Sequence, residues 1–599
     1  MSEYWNKWWD MRSDRRRFLK TGAATGVGAA GIALVGCGDD DDDDDDAATN
    51  TPGGLAPTNT PVPDATATPT PSITPGGELL NHRQGDPPSI NPYGSPSFEA
   101  KVHAAFVYSR LYKLGTASGL DPALAVPEPD AAEGHEFIDN TTVTVKLRPD
   151  VMFQDVSPVS GRQMTTEDVE FSWGLATADD NANAGRLTTV VDRIDFTDDT
   201  TMTFHLKQPD AEFIDLLADT NLLYLMPTEA DGGFDPATQM IGSGPWLFNK
   251  YEPSVQVIYD KNPNWFAGEG GMIPYVDRHT FKIIPEAATR LAQFLAGNLN
   301  VYAPSNNDLP QIVDQMPDVQ LSGLQSQLLS FFYWSNLQDT TTPWSNPMVR
   351  QAISMAVDRD SSFDLHYNAN ELADAGIDMP RDWNNMIPAG MKRWWLDPQS
   401  ADHGDSGKYF QYDPTEAKAL LAAAGYDDPS TLKFKYQYTA NRYGASFNSV
   451  AEANLLFMQD VGLNPEVEIQ DYNSVYFTQT FAGNFTGLGY GYETPFPNGG
   501  AYPQRYFTDN TLNHSRVADA EMADLTARQQ RELDEEARRD LFHEIQRKNA
   551  EKGFYFAQQS GAGTGFVAFP KNVNYNDRRT LFYGAGTESI PYWWIDTRA

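Results

Sequence analysis

Short runs in which every second residue is apolar recur through the chain, and they predict strands. Thr142-Val143-Thr144-Val145-Lys146-Leu147 and Thr201-Met202-Thr203-Phe204-His205-Leu206 are two of them, each placing its apolar side chains on one face of a pleated ribbon. Helical spacing is interspersed with these runs. Thr165 and Thr166 precede Glu167-Asp168-Val169-Glu170-Phe171-Ser172-Trp173, so a hydroxyl cap leads into an acidic first turn, which suits a helix N-terminus. Asp413-Pro414-Thr415-Glu416 starts another helix, with the aspartate as cap and proline at the first helical position. Ala417, Leu420 and Leu421 form its apolar stripe and Gly425 ends it. The long polar segment 519–551 carries Met522, Leu525, Leu533, Leu541, Phe542 and Ile545 and predicts one or two amphipathic helices on a domain surface. No short-period repeat is visible. Strands and helices mixed without strict alternation predict an α/β or α+β body of more than one lobe.

The N-terminal region follows neither pattern. Residues 21–36 are Gly/Ala-rich, too short and too weakly apolar to span a bilayer. They follow Arg15-Arg16-Arg17-Phe18-Leu19-Lys20, in which Arg15 and Arg16 read as the pair of a twin-arginine export signal. Leu34-Val35-Gly36-Cys37 resembles a bacterial lipobox, so residues 1–36 are expected to be a removable leader and Cys37 the lipidated first residue of the mature chain. Cys37 is the one cysteine in 599 residues, which rules out an intrachain disulfide. Its place beside the aspartate run Asp39–Asp46 argues against a small buried hydrophobe. A Thr/Pro/Gly/Ala stretch follows to Gly77, making residues 37–77 a disordered tether that buries too little apolar surface to fold. At roughly 3.1 Å per residue in a polyproline-like state, its thirty-odd Pro-rich residues reach up to about 100 Å from a membrane. The aspartates read as a solvated charge run before they read as a weak calcium site.

Charge and composition narrow the function. The chain holds 44 Lys and Arg against 82 Asp and Glu, a formal charge of −38, and loss of the net-basic leader makes it more acidic still. Such a surface repels phosphate backbones and anionic lipid heads, so no nucleic acid is expected and the membrane link falls to the lipid. The acidity itself reads as a solubility device of an extracellular protein. With 40% hydrophobic and 12% aromatic residues, the chain can bury several cores, in two or three domains or lobes. Enzyme signatures are missing from the sequence. It has no His-Glu-x-x-His, no Gly-x-Ser-x-Gly elbow and no Gly-Lys-Ser/Thr phosphate loop. His135-Glu136 and His543-Glu544 lack a second histidine, and a single cysteine excludes thiol catalysis and cysteine-rich metal sites. No catalytic residue, metal or cofactor is therefore expected, although paired carboxylates of an anchored glycoside hydrolase stay open as a third reading.

Five blocks in order then resemble the extracellular solute-binding proteins of family 5, the oligopeptide, dipeptide and nickel receptors of ABC importers. The first is Asn91-Pro92-Tyr93 with Val107-Tyr108-Ser109-Arg110-Leu111-Tyr112. The second, and most specific, runs from Val143 to Asp155 and from Thr165 to Trp173, with a longer turn, Val156–Met164, between its halves than the family usually has. The third is Gly242-Ser243-Gly244-Pro245-Trp246 through Asn262-Pro263-Asn264-Trp265-Phe266, continuing at Phe281-Lys282-Ile283-Ile284-Pro285 and Ala296-Gly297-Asn298. The fourth is Phe331-Phe332-Tyr333-Trp334-Ser335-Asn336 with Asn346-Pro347-Met348-Val349-Arg350-Gln351-Ala352 and Ala356-Val357-Asp358-Arg359, and the fifth is Ala417-Lys418-Ala419-Leu420-Leu421 with Ala424-Gly425-Tyr426. Most of these residues are structural punctuation. Gly244-Pro245 marks a turn entering a strand, and the Val349-Arg350-Gln351-Ala352 helix is expected to pack lobes together.

The resemblance implies an α/β, two-lobed, periplasmic-binding-protein-like fold with an additional inserted domain and a hinge between lobes. Lobe I is expected at 78–122, 238–325 and 556–599, the inserted domain at 123–237 and lobe III at 326–555. It implies a monomeric receptor outside the cytoplasm, anchored by lipid, that captures a peptide or other small solute and delivers it to the transmembrane subunits of an ABC permease. An oligosaccharide receptor of the same fold is the alternative. Peptide binders of this family hold the terminal ammonium with an acid in an Asp-Tyr-x-x-Pro-like segment, and Glu493 is the one acid in the corresponding stretch, 489–497. Its other reading is a solvated loop carboxylate. Arg442, between a strand and a helix, offers a fork for a ligand carboxylate or is an ordinary surface arginine. Tyr490, Tyr492 and Trp394 line the cleft or pack a core.

Overall fold

The two alternating runs are strands, and they are neighbours. Thr142–Leu147 pairs antiparallel with Thr201–Leu206 in a four-stranded sheet whose outer strands are Ala132–Asp139 and Val191–Phe196. Val143 stands opposite Phe204 and Val145 opposite Met202. All four are buried, with Leu147 and Leu206, so the period-two pattern has become one core face. The expected helix spans Thr166–Ala176, and its Asp168 carboxylate accepts from the Thr165 N–H at 2.9 Å, closing a capping box. Trp173 of this helix meets Phe204 edge-on at 5.9 Å.

A computed structural model supplies these coordinates. It describes residues 73–95, 97–493, 496, 498–508, 513–558, 563–579 and 588–596, all within the unit Pro71–Ala599. Arg15, Arg16, Cys37 and the tether as far as residue 72 lie outside the described residues.

A second four-stranded sheet orders Glu78–Arg83, Arg278–Ile283, Gln256–Lys261 and Trp246–Glu252, parallel in the first pair and antiparallel in the others. Helix Phe98–Val107 covers it, with Phe106 stacked on Tyr259 at 4.9 Å. The chain enters this sheet through Gly242-Ser243-Gly244, pressed against the end of that helix. A Cβ on Gly242 would lie 2.1 Å from the Val107 carbonyl oxygen, and the Gly244 N–H donates to the same oxygen at 2.8 Å. Phe569, Val573, Trp593 and Ile595, from the far end of the sequence, complete the same core with Leu79 and Ile90.

The third sheet orders Leu329–Trp334, Leu488–Glu493, Lys435–Thr439 and Glu466–Gln470, antiparallel in the first pair and parallel thereafter. Helices cover both faces, so Leu329–Trp334 is buried at every position and apolar at all of them but Ser330. Phe332, Trp334, Tyr490 and Tyr492 pack with helices Pro347–Ala356, Pro414–Ala423 and Ala445–Asp460. Phe331 and Tyr333 face the π-helix Tyr472–Thr480, helix Ala501–Phe507 and the pair Ala520–Arg531 and Glu535–Lys552.

Local signals explain these helices, with two corrections. Asp413 accepts from the N–H groups of Thr415 and Glu416 at 3.0 and 2.9 Å, and Gly425 takes a φ of +96° past the last turn, as the sequence predicts. The segment 519–551 forms two helices, and Asp534 caps the second by accepting from Ala537 N–H at 2.9 Å. Leu533 falls in the break and is 41% exposed, so it does not belong to the buried stripe. The Pro347–Ala356 helix does not join two lobes through its arginine. Arg350 donates from Nε to the Gly553 carbonyl at 2.8 Å, and to the carbonyls of Lys552 and Trp344. The guanidinium answers the partial negative charge at the end of helix Glu535–Lys552, a contact within the span 326–555. Antiparallel strands Gln320–Gln325 and Thr564–Phe569 form a ribbon from which the chain crosses to the third sheet. Among the described residues, no helix is long and apolar enough to cross a membrane.

Candidate ligand-binding site

A cavity of about 500 Å³ opens beside this ribbon, inside the range of about 300–1,000 Å³ that small-molecule sites occupy. Leu321, Gly323, Gln325, Thr564 and Phe566 form its strand wall, the loop Gly119–Ala123 a second, and Asp378, Pro380 and Lys392 a third. Gly323 keeps the wall flat, because a Cβ there would stand 2.7 Å from Thr564 Cγ2. Lys392 Nζ and Asp121 Oδ2 meet at 3.1 Å between two of these walls. Both side chains are well exposed, so the bridge adds little stability, but separating the walls breaks it. Arg579 donates from Nη1 to the Gly323 carbonyl at 2.9 Å, while its Nε is buried without a partner. With Asp577 and Asp378 also in its lining, the cavity offers charges of both signs around the face of the ribbon. That arrangement suits a zwitterionic or polar solute.

Glu493 lies elsewhere, at the end of strand Leu488–Glu493, with its side chain wholly buried. Its Oε2 accepts from Arg505 Nε at 2.8 Å and from His514 Nε2 at 2.9 Å. His514 turns Nδ1 to the Phe481 carbonyl. Gly489 and Gly491 precede Glu493 on this face and leave room for tyrosines. A Cβ on Gly491 would fall 1.7 Å from Tyr476 Oη, and the Tyr333 and Tyr476 hydroxyls donate to the carbonyls of Tyr492 and Tyr490 at 3.0 and 3.2 Å. Burial pushes both of these phenols well above their usual range, so they remain donors.

The other expected site residues are dispersed. Tyr490 and Tyr492 point to the opposite face of the same strand. Tyr490 is stacked on Phe447 at 4.9 Å, and the Tyr492 ring lies 5.0 Å from Tyr443 and Phe447. Arg442 is exposed, its guanidinium 5.3 Å above the Tyr472 ring. Trp394 is buried between Phe542 at 4.8 Å and the guanidinium groups of Arg393 and Arg538 at 4.6 and 4.7 Å. None of the five lines the cavity.

Sequence reasoning missed a set of contacts that tie the first sheet's segment to the third sheet's helices. Glu212 Oε1 accepts from the Gly500 N–H and from Arg538 Nη2, both at 2.7 Å. The Ala211 N–H donates to the Gln530 carbonyl at 2.8 Å, and Arg393 Nη1 stands 3.4 Å from Asp215 Oδ1. Burial, with Glu212 nearby and Arg393 opposing, pushes the Asp215 carboxyl up to about 6. No local pattern announces contacts between residues hundreds of positions apart. Among the described residues, no cluster of His, Cys, Asp or Glu is arranged to hold a metal ion.

Comparison with known proteins bears on most of the chain. The sequence pattern of the bacterial extracellular solute-binding proteins, family 5 Middle, matches residues 126–513. Oligopeptide-binding protein AppA of Bacillus subtilis is 22% identical over 420 residues, 67% of this chain and 70% of its own. A probable ABC transporter-binding protein of Deinococcus radiodurans is 30% identical over 210 residues, so that match spans about a third of either chain, 31% of each. The crystal structure of the ABC transporter substrate-binding protein CtaP from Listeria monocytogenes superposes with a TM-score of 0.70 at 20% identity, covering 87% of this chain and all of that one. The fold is thus the two-lobed α/β arrangement of periplasmic binding proteins.

Proposed function

Because the chain belongs to family 5 of the bacterial extracellular solute-binding proteins, we propose that it captures a peptide outside the cytoplasm and delivers it to the transmembrane subunits of an ABC permease. It does so as a lipid-anchored monomer, exported through Arg15 and Arg16 and held by Cys37, with residues 37–77 as the tether. The moving bodies are 78–122, 238–325 and 556–599 on one side and 326–555 on the other, with 123–237 inserted. Binding favours the closed arrangement, and the permease reads closure on the lobe surfaces.

The cavity carries the peptide reading. Its walls present one face of a two-stranded ribbon and charges of both signs, and among its described lining residues Phe566 is the single aromatic. Oligosaccharides call for flat aromatic platforms, which this lining does not supply. The relative from Bacillus subtilis, an oligopeptide-binding protein by name, agrees with it. The ligand's charged ends meet the rim residues Asp121, Lys392 and Arg579, whereas Glu493, already engaged by Arg505 and His514, holds its own strand in place.

Thermal unfolding of the purified protein with di- and oligopeptides, oligosaccharides and nickel complexes tests this. A ligand at about 100 times its dissociation constant adds roughly 2.7 kcal/mol, so a rise in Tm is expected with peptides. A rise with oligosaccharides alone would overturn the peptide assignment.

A further inference from the structure

Where the chain crosses between the ribbon and the third sheet, two stretches run side by side. The Gln558 N–H donates to the Ser330 carbonyl at 2.7 Å, and the Ser326 N–H to the Gly563 carbonyl at 2.9 Å. Phe331 and Ala557 form a bridge between them. These backbone groups are paired, but the side chain of Gln327 is not, and that of Gln558 is paired only through Nε2, which donates to the Phe556 carbonyl at 3.4 Å. Gln327 is 4% exposed, and neither its Nε2 nor its Oε1 has a hydrogen-bond partner. Gln558 is fully buried, and its Oε1 is also unpartnered. Native structures rarely leave buried polar atoms unpaired, and a whole side-chain amide left so asks for a reason.

The crossing adjoins the cavity, because Gln325, two residues before Gln327, lines it. We propose that Gln327, on the same crossing as Gln558, is the main-chain-reading part of the ligand site, taking the N–H and C=O of one extended residue of a bound peptide. A side-chain amide carries a donor and an acceptor on one edge. In an extended chain, the N–H and C=O of a single residue also share an edge, so the two fit in a bidentate pair. Recognition of this kind reads the backbone and ignores the side chain, as strand addition does. It also explains why ligand favours closure. Shut without ligand, the lobes bury one wholly unpaired amide and the unpaired Oε1 of a second, opening lets water reach them, and ligand satisfies them with the lobes shut.

This inference rests on the peptide reading above, and its test separates the two. Titration calorimetry of trialanine against the full mature protein and Gln327→Leu is expected to show at least a tenfold loss of affinity in the variant. The ligand-free variant is expected to keep or exceed the wild-type Tm, because an unpaired amide has been removed. Trialanines N-methylated at each position supply a cycle that does not depend on the variant's stability. In the wild-type protein one methylation costs at least tenfold, and in Gln327→Leu the same methylation costs no more than twofold. Should Gln327→Leu fail to fold, Gln327→Met takes its place, and the wild-type response to N-methylation stands as a separate readout: equal affinity for all the methylated peptides overturns the proposal. Wild-type binding that Gln327→Leu leaves within twofold overturns this inference alone. Failure of the wild-type protein to bind any peptide of two to five residues overturns the peptide reading and this inference with it.

Discussion

Glu493 shows how a residue's surroundings decide its role. The sequence singles it out as the sole acid of its segment, and the structure buries it against Arg505 and His514. Removing one member of such a cluster strands the others in a low-dielectric site, at a cost of about 3–5 kcal/mol. Glu493→Ala is therefore expected to lower the urea midpoint of the ligand-free protein by that equivalent. A midpoint unchanged from wild type would show that the carboxylate does not hold the strand. The acid was legible in the sequence, but its partners were not. Arg505 comes from helix Ala501–Phe507 and His514 from the turn beyond, and their approach depends on how that helix stacks on the sheet. The same gap hides Gln327, an ordinary glutamine in sequence whose burial without partners exists only in three dimensions.

Strand Leu488–Glu493 is the element on which sequence and structure are most usefully compared. Its tyrosines were candidates for a ligand lining, yet Gly489-Tyr490-Gly491-Tyr492 alternates with period two, the signature that correctly placed Thr142–Leu147 and Thr201–Leu206. Applied here, that period sends both tyrosines under helix Ala445–Asp460 and both glycines toward Tyr333 and Tyr476. Gly491→Ala should then displace Tyr476, whose hydroxyl lies where the new methyl would go. Overpacking of this kind costs about 1–3 kcal/mol, and differential scanning calorimetry is expected to show the lower Tm. An unchanged Tm would mean that the hydroxyl is not fixed there. Helices with local caps were legible for the same reason that strands were, since Asp413 and Asp534 act on their own next turn. The break at Leu533 was not, because the polar run around it reads equally as one helix or two.

At the scale of the molecule, buried imidazoles set the response to acid. Burial holds His103 down at about 3, and His366 and His403 at about 4. In the unfolded chain each takes up a proton near its ordinary value of about 6.5. As pH falls below that, the unfolded state gains protons that the native state refuses, so stability declines with falling pH until the native pKa is passed. Each such group contributes up to about 1.4 kcal/mol per pH unit. Urea midpoints are expected to fall steadily from pH 6.5 to pH 4.5, and a flat profile would contradict the burial of these rings. The two-lobed fold was legible only through the resemblance. Contacts such as Arg538 to the Ala211 carbonyl, 327 positions apart, follow from topology and leave no mark on either neighbourhood. The second sheet's core has a further consequence, one of timing. Leu79 and Ile90 share it with Phe569 and Trp593, so the earlier segment cannot finish its core until Phe569 and Trp593 have been made. With roughly 490 residues between Leu79 and Phe569 and synthesis at about 5–20 residues per second, the early strand waits on the order of 25–100 s, unpartnered by that core, for the residues that complete it.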